Sequence, residues 1–165
     1  MPTVLTIGYS QDTFDPFEER LAKHGVDVLV DVRSAPYSMY QTDFRYGVIE
    51  ALCLQAGLTY IFLGDKLGGK PTDPELQTDG VPDYEKVAAS EGFKEGLAQV
   101  AQLTMGHTVC LMCGCEKPLR CHRGTLIAPH LTAAGFDVRH IDRHGQALTH
   151  EEAVAEESGG QMSLF

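Results

Sequence analysis

Apolar and polar positions along this chain alternate in blocks of two periods. Short apolar runs fall at residues 4–8 (VLTIG), 26–32 (VDVLVDV), 58–63 (LTYIFL), 107–112 and 136–141, bounded by polar or glycine-containing turns. Runs of this length, rich in β-branched residues, predict strands buried on both faces. Between them, apolar residues recur at helical spacing. Phe14, Phe17 and Leu21 follow SQDT and end at Gly25, and residues 44–56 end at Gly57. Residues 84–105 predict a helix broken near Ser90, and residues 121–134 a helix stopped by Gly135.

Strands alternating with helices at this spacing predict an α/β fold: one three-layer domain over residues 1–146, with a mostly parallel sheet of about five strands. Residues 64–82 (GDKLGGKPTDPELQTDGVP) lack periodicity and predict a functional or mobile loop. After Gln146 the composition turns acidic and small, which predicts a flexible tail over residues 147–165.

The fold class locates the chemistry. In parallel sheets ligands bind beyond the carboxyl ends of the strands. The segments leaving those ends are Gly8-Tyr9-Ser10, Arg33-Ser34-Ala35-Pro36, residues 64–70, residues 113–123 and Asp142-Arg143-His144. Nearly all of the unusual residues lie there. Asp31 and Arg33 share one side of a strand end; they are set either to grip an anion or to form a structural ion pair. Lys66, Gly68 and Gly69 offer close backbone approach to an anion, although a Gly-Gly loop by itself is a weak signal.

The densest stretch is CLMCGCEKPLRCHRG. Cys121, His122 and Arg123 open a helix, whose N-terminus favours anions. A thiol there, beside His122, Arg120 and Arg123, is a nucleophile candidate, with Glu116 as acid or base. The alternative is a zinc site of Cys113, Cys115, Cys121 and His122. Its spacing departs from the commoner two-residue knuckles, and adjacent residues on a helix point about 100° apart. Catalysis by Cys121 requires no cofactor.

Charge and terminal signals narrow the classes. Thirteen Lys and Arg against 23 Asp and Glu give −10, which argues against a non-specific nucleic-acid coat. No apolar stretch approaches a membrane span, and MPTVLTIGYS carries no export signal. A cytoplasmic, reduced-thiol setting follows.

Four motifs, TIGYS, GVDVLVDVRSAPYS, LGDKLGG and LMCGCEKPLRCHRGTLIAPHL, resemble in order and spacing the prokaryotic domain-of-unknown-function family numbered four-eight-eight, over residues 4 to about 143. The resemblance implies a site at Gly8, Tyr9, Ser10, Asp31, Arg33, Ser34, Pro36, Leu67, Gly68, Gly69, Cys113, Cys121, His122 and Arg123. Relatives carry Cys-x-Glu before the Cys-His-Arg, whereas this chain has Cys115 in that place and Glu116 next.

The expectation is an enzyme acting on a phosphate-bearing substrate, a nucleotide or DNA in repair or replication, by hydrolase or lyase chemistry. Tyr9, Ser10, Arg33, Ser34, Lys66, Gly68, Gly69 and Arg123 would hold the anion, and Asp31, Glu116, Cys121 and His122 would act. The rivals are thiol or sulfur-transfer chemistry at Cys121 and a non-catalytic zinc-stabilised binding module. The chain closes on QMSLF. This resembles the peptide by which bacterial replication and repair proteins dock on the DNA sliding clamp. Gln161 would anchor it, while Met162, Leu164 and Phe165 fill a hydrophobic cleft.

Overall fold

The computed structural model describes the backbone of residues 1–162 and side chains through Ser158. Its first half runs β1 (Thr3–Gly8), α1 (Phe14–Lys23), β2 (Val28–Asp31), α2 (Val48–Gln55), β3 (Thr59–Phe62) and α3 (Gly64–Leu67). There follow a hairpin of β4 (Gln77–Thr78) and β5 (Val81–Pro82), then α4 (Tyr84–Ala89), α5 (Glu91–Leu103) and β6 (Val109–Cys113). The chain continues through α6 (Ala128–Ala133), β7 (Asp137–Ile141), β8 (Ala147–Thr149) and α7 (His150–Met162). No described helix is long and apolar enough to cross a membrane.

The central sheet has the order β3-β2-β6-β1-β7-β8. Its first five strands are parallel, and β8 alone runs antiparallel, against β7. Alternate residues feed opposite cores, as a sheet covered on both faces requires. Leu5, Ile7 and Leu29 meet Phe14, Phe17 and Leu21 of α1 and Ile49 and Cys53 of α2. Val4, Val28 and Val30 meet Leu67, Val87, Phe93, Val100 and Leu131 on the other face. Full burial of one such Leu or Phe contributes about 1.5–3 kcal/mol, so the two layers hold the strand ends rigidly.

The expected α/β architecture is present, with differences that have local causes. The predicted helix over residues 44–56 begins as a 3-10 turn at Thr42–Phe44, because Gly47, at φ 81°, breaks the path before α2. The break near Ser90 is there, with the Ser90 hydroxyl accepting the Phe93 N–H at the start of α5. Residues 64–82 carry more order than a bare loop. They contain α3 and the β4–β5 hairpin, whose turn places Asp79 and Gly80 at φ 55° and 77°, the left-handed pair that an Asp-Gly turn favours.

The sixth strand corrects the flexible-tail expectation for residues 147–158. Gly145 turns the chain at φ 83° while Asp142 accepts the N–H groups of His144 and Gln146, so β8 folds back on β7. Thr149 and Glu152 then form a reciprocal capping box: the Thr149 hydroxyl accepts Glu152 N–H, and the Glu152 carboxylate accepts Thr149 N–H. α7 packs back onto the domain through the buried Ala153. The sliding-clamp peptide falls on residues 161–165, whose side chains lie outside the described residues.

Candidate active site

Five strand ends deliver the candidate residues to one edge of the sheet, and two buried arginines organise it. Arg33 lies just past β2. Its Nε and Nη2 donate to the Asp31 carboxylate at 2.9 and 2.7 Å, and its Nη1 donates to the Tyr9 hydroxyl at 3.1 Å. The Tyr60 hydroxyl occupies the same carboxylate at 2.6 Å. Burial works against the Arg33 charge, but the Asp31 carboxylate outweighs it and holds the guanidinium above its usual pKa. Of the two readings of this pair, the geometry matches the structural one, because Asp31 is fully buried with both oxygens occupied. Tyr9 completes the unit, its ring stacked on Phe44 at 4.1 Å and beneath the Arg33 guanidinium.

Arg123 is fully buried and reaches three segments at once. Its Nε donates to Cys113 Sγ at 3.1 Å and its Nη1 to the Thr6 hydroxyl at 2.7 Å. Its Nη2 donates to the carbonyls of Cys115 and Glu116 at 2.9 and 3.0 Å. These bonds brace the loop after β6 against β1, and they engage every nitrogen of the guanidinium inside the protein. Gly8 makes the approach possible, since a Cβ there would run into the Cys115 carbonyl. No carboxylate pairs with Arg123 among the described residues. A buried cation without a counter-charge is costly, and its charge bears on the sulfurs beside it.

Those sulfurs belong to Cys113, Cys115 and Cys121, all within 4.8 Å of one another. Cys113 and Cys121 are buried, Cys115 is exposed, and all five cysteines are free thiols. Cys121 is extended, at φ −140° and ψ 150°, and its carbonyl accepts the Gly124 and Thr125 N–H groups, so it caps the helical turns that follow. The first of these turns, Arg123–Ile127, is π-helical. Pro129, lacking an N–H, cannot close the ordinary bond to the Thr125 carbonyl.

A hydrogen bond from the Cys113 thiol lowers the pKa of Cys121; burial opposes this, while the Arg123 backbone N–H and guanidinium add to it. Burial pushes Cys113 up to about 11. The hydrogen bond with Cys113, followed by burial, raises Cys115. Of the three thiols, Cys121 alone has its pKa lowered.

His122 completes the centre. Its Nε2 donates to the Val32 carbonyl at 2.7 Å, which fixes the tautomer and leaves Nδ1 as an acceptor 3.7 Å from Cys121 Sγ. Burial lowers the His122 pKa, so the ring is a neutral base. Gly69 rests against this ring, where a Cβ would come within 2.8 Å of the His122 Cβ and Cγ. Gly68 likewise sits on Ser34, whose hydroxyl accepts the Lys70 N–H at 2.8 Å.

Other expected residues take lesser places. Ser10 holds φ 49° and gives its N–H to the Gly114 carbonyl. Lys66 lies 3.4 Å from Glu95 and lines a cavity with Ser34, Gly68 and Lys70. The Glu116 side chain turns toward Arg143 at 3.9 Å, and its backbone carbonyl is the part that serves the site.

Sequence reasoning missed a relay behind Arg123. The Thr6 hydroxyl accepts from Arg123 and is hydrogen-bonded to His140 Nδ1 at 2.6 Å, and His140 Nε2 is bonded in turn to His150 Nδ1 at 3.0 Å. Burial first, then the charge of Arg123, lowers His140 to about 3, so it is neutral under ordinary conditions. The available signal was a hydroxyl in the middle of an apolar strand, at Thr6. Tyr84 was missed as well; the nearby Cys121 adds to burial in raising its pKa.

The fold and site together define a three-layer α/β protein with a thiol-rich centre at its strand ends. The family model described as "Domain of unknown function DUF488" matches residues 13–128, and the chain belongs to that family. None of the curated proteins matches it. A solved structure of a candidate phosphatase from Shewanella putrefaciens CN-32, of the family DUF442, is similar at 19% identity with a TM-score of 0.41. The match covers 72% of this chain and 61% of that one, so the chain spans about three fifths of the length of that protein.

Proposed function

We propose that the protein is a thiol-dependent enzyme in which Cys121 is the nucleophile and His122 Nδ1 accepts its proton. The observation that carries this reading is the fixed His122 tautomer, with its free Nδ1 turned to a sulfur that caps a helix start beside a buried guanidinium. The substrate is a phosphate-bearing nucleotide or nucleic acid. Because Arg123 is engaged internally, cations for the phosphate would come from Arg120, one position before Cys121 in the chain, and Lys70, one position after the Gly69 that supports His122. Cys121 sulfur bonds to the electrophilic centre as the leaving group departs, and water or an acceptor then releases the thio-adduct. The three sulfurs could instead hold a soft ion such as zinc.

The test is the pH dependence of alkylation by iodoacetamide. A thiol of pKa about 8.5 slows roughly twentyfold between pH 9 and pH 7 as its thiolate is protonated. Cys121, with its pKa lowered, should slow by less than that over the same window. His122→Asn should steepen the profile. An ordinary thiol profile at Cys121 removes the nucleophile, and stoichiometric zinc lost on chelation together with folded structure favours the metal reading.

The terminal sequence supports a place of action in DNA repair or replication. QMSLF differs from the clamp-binding peptide only by Met162 for Leu, a volume-conserving change. Docking on the clamp would give a chain of charge −10 a high local concentration of DNA without a basic surface. Binding to a bacterial sliding clamp is expected at about micromolar Kd, or about 8 kcal/mol, and should vanish when Leu164 and Phe165 are deleted. Equal binding by the intact and truncated chains, in titration calorimetry, would sink the docking role.

A further inference from the structure

The two cysteines beside Cys121 differ in their freedom to move. Cys113 is the last residue of β6, paired in register with Gly8 of β1, and its sulfur accepts the Arg123 Nε. Cys115 lies two residues beyond the strand, in no helix or strand, and is the exposed member of the three. Its sulfur is within 4.8 Å of Cys121, whereas a disulfide needs about 2.05 Å. Side-chain rotation at an exposed loop residue can supply that closure; at Cys113 it would have to break the bond to Arg123.

We propose that Cys115 is the resolving thiol of Cys121, closing a reversible Cys115–Cys121 disulfide that protects and silences the site when a hydroperoxide reaches it. This inference rests on Cys121 being the reactive thiol. In the first step the Cys121 sulfur attacks the hydroperoxide, the O–O bond breaks, and the sulfur loses two electrons to become a sulfenic acid while an alcohol or water leaves. In the second, Cys115 sulfur displaces the sulfenic oxygen: the S–S bond forms, the S–O bond breaks, and water departs with the Cys115 proton. A dithiol reductant returns both thiols by exchange. Without the second step, further peroxide carries the sulfenic acid to sulfinic acid, which ordinary thiols do not reverse.

The experiment treats the full-length protein with hydrogen peroxide and follows intact mass and free thiols. Two of the five thiols should disappear and return on adding dithiothreitol. Trypsin cleaves after Arg120 but not before Pro118, so Cys113 and Cys115 share one peptide, and fragmentation of the cross-linked pair between them should place the link to the peptide beginning at Cys121 on Cys115. Cys113→Ala should still form it. Cys115→Ser should instead accumulate sulfinic acid at Cys121, which dithiothreitol does not reverse.

A link from Cys121 to Cys113, or sulfinic acid formed equally fast in the intact chain and in Cys115→Ser, overturns the proposal. Iodoacetamide labelling of the untreated protein separates the two failures. If Cys121 labels at neutral pH but no link to Cys115 forms, only the resolving role falls. If Cys121 does not label, the nucleophile and the resolving thiol fall together.

Discussion

Arg123→Met is expected to destabilise the protein by about 2–6 kcal/mol, the cost of leaving two carbonyl acceptors without their donor. Met matches much of the volume, so the effect is not mainly a cavity. The carbonyls of Cys115 and Glu116 lose their donor, and an unsatisfied buried acceptor costs about 1–3 kcal/mol. Cys121 also loses the guanidinium that helps to lower its pKa, so its alkylation should become more strongly pH-dependent. Arg123→Lys keeps the charge but cannot reach three segments with one fork, and should fall between the two. Urea unfolding of the three proteins measures this. A loss under about 1 kcal/mol for Arg123→Met would mean that the loop after β6 does not depend on the brace.

Asp31→Asn should cost a similar amount, about 3–5 kcal/mol, because it leaves the Arg33 guanidinium buried without its carboxylate. The double variant Asp31→Asn/Arg33→Met separates structure from catalysis. If the pair is structural, removing both charges recovers much of the stability lost by removing one, and the cycle shows a coupling of about 2 kcal/mol or more. Cys121 alkylation in Asp31→Asn should keep its pH profile wherever the protein remains folded. Additive losses in the cycle would return Asp31 to the list of catalytic candidates.

Local sequence information was sufficient for the frame of the molecule. The five parallel strands announced themselves because burial on both faces demands unbroken β-branched runs, as in VDVLVDV. Gly57 and Gly135 ended their helices for the same local reason, and Ser90 marked the break between α4 and α5. Alternation of strand and helix then sufficed to bring Tyr9, Arg33, Gly69 and Cys121 to one edge, since parallel connection leaves no other arrangement. β8 and α7 were harder to read. Their signals, an Asp-x-x-Gly turn and the Thr149–Glu152 capping box, sit in an acidic stretch whose composition resembles a solvated tail, and only packing against β7 makes them pay.

The sequence by itself determined the fold class, the neighbourhood of the site and the family, because periodicity, turn residues and ordered motifs are properties of nearby positions. The roles of the charged residues were decided by the tertiary structure. Arg123 and Arg33 looked equally suited to hold a phosphate. The folded chain brings Thr6 to Arg123 across 117 positions and Tyr9 to Arg33 across 24, and sets Asp31 against Arg33, so their donors are satisfied within the protein. The same contacts lower the Cys121 pKa and leave His122 Nδ1 as an acceptor facing it. A buried polar group is defined by the acceptor it meets, and that acceptor is supplied by distant chain.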